Sequence, residues 1–88
     1  MVKYIIYRVA GGTHLPVIFP ALLRHDQVAS GIHPAMLRTF DNVVVVAGGF
    51  VDLNRHECYG DSESLKTKSR GRVDWDIIET EMISNREK

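Results

Sequence analysis

Hydrophobic and polar positions alternate along this chain at two periods, and each change of period marks an element. From Lys3 to Ala10 the repeat is two: Tyr4 and Ile6 fall on one side with Arg8, and Ile5, Tyr7 and Val9 on the other with Lys3. Gly11-Gly12-Thr13 then predicts a tight turn. Leu15, Val17 and Phe19 alternate as the inward side of a second strand, so the two strands form a hairpin. Pro16 carries no N–H donor, which places that strand at a sheet edge or that position outside the ladder. Beyond Pro20, which suits a first helical position, Ala21-Leu22-Leu23 predicts one short turn. Asp26 is placed to cap a helix. Val28, Ala29, Ile32, Met36, Leu37 and Phe40 then recur at helical spacing. Gly31 and Pro34 interrupt that repeat. A proline inside a helix costs about 3 kcal/mol, so the pattern predicts two helical pieces, near 26–31 and 34–40.

The segment Asn42-Val43-Val44-Val45-Val46-Ala47-Gly48-Gly49-Phe50-Val51-Asp52-Leu53 organises the rest. Consecutive β-branched residues are stiff at χ1 and favour a strand. Because successive side chains point to opposite faces, an unbroken apolar run needs cover on both. Left on an edge, it would template aggregation, so it is expected in a central position. Gly48-Gly49 signals a bulge, a bend or the close approach of another backbone. It is not a phosphate loop, since neither G-x-G-x-x-G nor G-x-x-x-x-G-K-[ST] is present.

Asn54-Arg55 reads as a turn and Glu57-Cys58-Tyr59 as a return strand, ended by Gly60-Asp61. Ser62 to Thr67 reads equally as strand or loop. Val73 to Ile83 is helical, with Trp75, Ile78 and Met82 on one side and Asp74 and Asp76 in the first turn, where negative charge suits the helix dipole. The elements fall in a ββααββα-like order. They define an α+β class: one domain over 1–83, a mixed or antiparallel sheet of about four strands with helices packed on one face, and a flexible tail over 84–88.

Length and charge narrow the picture further. At 88 residues the chain makes one domain. Eleven basic and eleven acidic residues balance, so no global field draws it to nucleic acid or anionic lipid, and neutrality permits self-association. One cysteine, Cys58, excludes an internal disulfide and suits a reducing compartment. The start of the chain is too short in apolar residues and too polar for a signal peptide, and no run approaches membrane-spanning length. A cytoplasmic location is expected.

Candidate chemistry is sparse. His14, His25, His33, His56 and Cys58 are five potential metal ligands, and His56-x-Cys58 would share one side of a strand. Structural zinc wants four ligands, usually in C-x-x-C or H-x-x-x-H pairs, and neither spacing occurs; nor does the P-C-x-x-C of zinc deaminases. No metal or other cofactor is therefore expected. Cys58 as a nucleophile would need a base brought by the fold from His14, His25 or His33. Gly60-Asp61-Ser62-Glu63-Ser64 is not a G-x-S-x-G elbow. With no assembled catalytic set, the chain is not read as an enzyme. Lys66, Lys68, Arg70 and Arg72 recur every second residue. Extended, they would form a one-sided comb for phosphates or an acidic partner; otherwise they are a solvated loop or a charged, protective edge. Asp74, Asp76, Glu79 and Glu81 follow and would partly neutralise them, and no aromatic interleaves the run to stack on bases.

The order of the segments Tyr4-Ile5-Ile6-Tyr7-Arg8, Pro16-Val17-Ile18-Phe19-Pro20, Leu23-Arg24-His25, Ala47-Gly48-Gly49-Phe50-Val51 and Tyr59-Gly60-Asp61-Ser62-Glu63-Ser64-Leu65 resembles a group of small uncharacterised proteins of bacteria and prophages. That resemblance spans residues 4 to about 78. It implies no activity, cofactor or catalytic residue, and points toward an accessory or phage-borne interaction protein. The leading expectation is a non-enzymatic interaction module that meets a protein partner, or itself as a homodimer, through an edge strand or an uncovered sheet face. The alternatives are a nucleic-acid-binding accessory protein using Lys66, Lys68, Arg70 and Arg72, and a small metal protein or enzyme around His25, His56 or Cys58.

Overall fold

The computed structural model describes residues 2–83; the tail expected over 84–88 lies outside them. Strand β1 (Val2–Arg8) turns through Ala10–Gly12 into β2 (His14–Pro20). Helix α1 (His25–Thr39) follows, then β3 (Val44–Asp52), β4 (Glu57–Tyr59), the two-residue strands β5 (Asp61–Ser62) and β6 (Thr67–Lys68), and helix α2 (Arg72–Ile78), which continues into a π-helical turn over Glu79–Ile83. The main sheet has the order β2-β1-β3-β4 and is antiparallel throughout. The α+β class and the inner position of the valine strand are as its composition requires.

The two helices do not share a face. Tyr4 and Ile6 of β1, with Ala47, Val51 and Cys58, form one core under Trp75 and Ile78 of α2. Ile5 and Tyr7, the alternate residues of the same strand, form a second core with Phe19 under Met36 of α1. Because neighbours along β1 point to opposite faces, the sheet is sandwiched with one helix on each side. The expectation of helices on one face fails for a reason visible in β1: Tyr4 to Tyr7 are apolar without interruption and all are fully buried, so both faces require cover.

Helix α1 is continuous from His25 to Thr39, where two pieces were expected. Pro34 forfeits only the hydrogen bond to the carbonyl of Ser30, and both residues are exposed, so water can satisfy that carbonyl. Val28, Ala29, Ile32, Met36 and Phe40 seat the opposite side of the helix in the second core and hold its two halves in line. Pro34→Ala is expected to raise unfolding free energy by about 2 kcal/mol, the proline penalty less the entropy that proline removes from the unfolded chain. Urea titration checks this; a loss of stability would mean that the helix depends on a bend at this point. The start also differs from the sequence reading. Pro20 closes β2, Arg24 is the N-cap residue, and Gln27 Oε1 accepts the Arg24 backbone N–H at 2.9 Å, while Asp26 lies in the first turn.

The Asn54-Arg55 turn forms as expected, with Asp52 Oδ1 accepting from both backbone N–H groups at 3.0 Å. Ser62 to Thr67, ambiguous in sequence, is a small hairpin: Asp61 pairs with Lys68 and Ser62 with Thr67. Strand β3 runs unbroken through Gly48-Gly49. Its bulge falls earlier: Ile6 pairs with Ala47 and Tyr7 with Val45, leaving Val46 as the extra residue. The glycines instead admit the crossing chain. A Cβ on Gly49 would lie 2.5 Å from the Tyr59 carbonyl oxygen.

Candidate interaction surface

Three features had a claim to function: the basic run, the histidines with Cys58, and the sheet edges. The basic run is not a comb. Extended backbone is confined to Thr67–Lys68, and Lys66 adopts a φ of 53° in the turn between β5 and β6. Arg70 Nε donates to Asp74 Oδ1 at 2.7 Å and Arg72 Nε to Asp76 Oδ1 at 3.0 Å. Two of the four charges are thus committed to carboxylates one helical turn away. Lys66, Lys68, Arg70 and Arg72 therefore do not lie along one extended strand.

The sheet separates the nucleophile candidate from its nearest buried base. Cys58 belongs to the core under α2, whereas His25 lies at the start of α1 on the other face. Burial, with the Asp74 carboxylate nearby, pushes the Cys58 thiol up to about 11. His56 stacks on Trp75 with ring centroids 4.8 Å apart and its own ring exposed. His14 sits in β2, and His33 is exposed on α1. Among the described residues no three His, Cys, Asp or Glu side chains gather as a metal site would require.

The edge strands of the main sheet are β2 and β4. On β2, Pro16 and Pro20 have the same parity, so their missing donors fall on one side of the strand. On β3, strand β4 pairs only with Phe50–Asp52. Beyond that pairing the chain at Tyr59–Gly60 passes close to Gly49, and the outer edge belongs to β4, which is only three residues long, a length that limits strand addition.

A cleft remains, on the α1 face where the sheet ends. It encloses about 610 Å³, a size usual for ligand sites. Phe50 and the edge of the buried His25 are its aromatic lining. Phe50 stacks on Tyr59 at 5.8 Å and meets the edge of His25 at 6.4 Å; His25 in turn lies edge-on to Phe19 at 5.3 Å. His25 is 4% exposed, and its Nε2 donates to the Gly49 carbonyl at 3.0 Å, which fixes the proton on that nitrogen. One wall carries Lys3 and Arg24, the other Asp61 and Glu63. Lys3 Nζ donates to the Leu23 carbonyl at 2.9 Å and stands 5.9 Å from the Phe50 ring centre; Arg24 pairs along its own wall with Asp26. Among the described residues no ion pair joins the two walls. Ser62, 2% exposed, turns its Oγ to the Leu65 N–H, whereas the exposed Ser64 accepts the Asp26 N–H and keeps its hydroxyl proton to donate. Beside the rim, Leu22 is 96% exposed, and Leu23 and Tyr59 are also exposed.

His25 and Cys58 set opposite limits on stability. Burial lowers the His25 pKa, so the fold favours the neutral imidazole and loses stability as pH falls below about 6.5. The Cys58 thiol is raised from 9.0, so its contribution is intact below that pH and lost as pH rises toward about 11. Urea midpoints measured across pH should form a plateau between these limits. His25→Gln, which keeps a donor for Gly49, should flatten the segment between pH 7 and 5; an unchanged segment would show that His25 is not its source.

No protein-family model, curated protein or solved structure matches this chain.

Proposed function

We propose that this chain is a non-enzymatic interaction module and that it takes a segment of a partner protein into the cleft at the start of α1. The observation that carries the reading is the cleft itself: the Phe50 ring among Lys3, Arg24, Asp61 and Glu63, with no ion pair between these basic and acidic residues among the described residues. Charges of both signs beside a reachable aromatic ring suit recognition of a partner. The exposed Leu22, Leu23 and Tyr59 extend the contact surface beyond the cleft. The prolines of β2 and the three-residue length of β4 favour this location over strand addition. The high pKa and burial of Cys58, with His25 on the opposite face, support binding over nucleophilic chemistry.

Selection from a displayed peptide library tests the reading, with Ser64→Tyr as the counter-target because it puts a ring into the cleft from an exposed position. Peptides that bind the natural protein and lose binding to Ser64→Tyr are the expected result. Recovery of none, or of peptides that bind both forms alike, would show that the cleft is not the binding surface.

A further inference from the structure

We infer that the partner segment is an extended peptide carrying an acidic and a basic side chain on one side, with an apolar residue between them. This rests on the cleft being the binding surface, and it adds the chemistry of what binds. Lys3 and Arg24 come from β1 and the α1 N-cap, whereas Asp61 and Glu63 come from β5 and the turn that follows it. A uniformly acidic segment would suit the first wall and meet repulsion from the second, and a uniformly basic one the reverse. A segment with both signs satisfies each wall. In an extended chain, residues i, i+2 and i+4 lie on the same side, successive ones about 7 Å apart, so an acidic and a basic residue four apart both face the cleft. The apolar residue midway between them, on that same side, can lie against Phe50, whose ring is half-buried and already part of an aromatic stack. The hydroxyl of the exposed Ser64 supplies a donor for a carbonyl of such a segment.

Three synthetic peptides of equal length test this by fluorescence anisotropy at low salt: a central aromatic with, two residues to either side of it, Glu and Lys, two Glu, or two Lys. The mixed peptide should bind about fivefold tighter than either other, the size two exposed charge contacts provide, and the advantage should shrink with added salt. The decisive variant is Asp61→Lys with Glu63→Lys. Both residues are exposed, and among the described residues no side-chain hydrogen bond or ion pair ties them to the fold. This double variant should prefer the acidic peptide. Lys3→Glu with Arg24→Glu should prefer the basic one. If peptides bind but their order of affinity ignores these reversals, the charge assignment is wrong while the cleft remains the binding surface. If no peptide binds any form and the library also yields nothing, both the assignment and the cleft reading are overturned.

Discussion

Asp74→Ala is expected to remove about 3–5 kcal/mol of stability, the cost of taking one partner from a buried ionic cluster. Asp74 is 0% exposed. Its Oδ2 accepts from the Tyr4 hydroxyl and, at 2.7 Å, from the Arg70 backbone N–H; its Oδ1 accepts from Arg70 Nε at 2.7 Å. Tyr4 has a single proton to give, and a carboxylate can only accept, so Ser69 Oγ must be the donor in its 2.7 Å bond with the Tyr4 oxygen. Ser69 Oγ in turn accepts the Gly71 N–H at 3.1 Å. The chain of donors thus runs from the backbone before α2 to a carboxylate beneath the sheet. Burial, aided by that carboxylate, raises the Tyr4 phenol far above its ordinary range, so it remains a donor at any physiological pH. Alanine at 74 would leave the Tyr4 hydroxyl without its acceptor and Arg70 partly buried without a counter-charge. Tyr4→Phe removes one bond to a charged acceptor and should cost about 2 kcal/mol. Urea unfolding of both single variants and the double variant gives the coupling. A double variant no worse than Asp74→Ala would confirm that Tyr4 acts through the carboxylate; full additivity would show that the two residues stabilise the fold separately.

Parts of this architecture were legible in the chain because they obey local rules. Four valines without a charge demanded an inner strand, and Val44–Asp52 occupies one. The continuity of α1 was not legible, because the penalty at Pro34 is local whereas the packing of Val28, Ile32 and Met36 that offsets it comes from the sheet. The basic run misled through its alternation. Arg70 with Asp74 and Arg72 with Asp76 are also spaced four apart, the helical ion-pair spacing, and that signal was available to weigh against a comb. The cleft left no such trace. Lys3, Arg24, Asp61 and Glu63 are scattered over 61 positions (3 to 63) and meet only because β1, α1 and the β5–β6 hairpin converge. Asp74 was read as a residue suited to a helix start, which it is; its burial against Tyr4, 70 residues away, had no local signature.

The two central glycines should respond very differently to the same substitution. Gly49→Ala is expected to cost about 3 kcal/mol, at the upper end for an added methyl in a packed site, and Gly48→Ala less than about 1.5 kcal/mol on the same scale. The difference lies in what each new methyl would meet. At Gly49 it would stand 2.5 Å from the Tyr59 carbonyl oxygen and 3.4 Å from the Gly60 carbonyl carbon, both backbone atoms. Tyr59 is held by its pairing with Phe50 in the sheet, so the clash can be relieved only by moving β4 off β3. That movement would open the cover over Val51 and Cys58 and shift the carbonyl that anchors His25. At Gly48 the nearest atom is the Thr67 Cγ2 methyl at 3.0 Å, the end of a side chain in a two-residue strand that can yield. Thr67→Ser deletes that methyl and should recover most of the loss from Gly48→Ala while doing nothing for Gly49→Ala. Urea midpoints measure the stabilities, and the rate at which Cys58 reacts with a thiol reagent reports whether β4 has lifted. Equal costs at the two positions, or rescue of Gly49→Ala by Thr67→Ser, would mean that side-chain crowding and not backbone approach dictates the glycine pair.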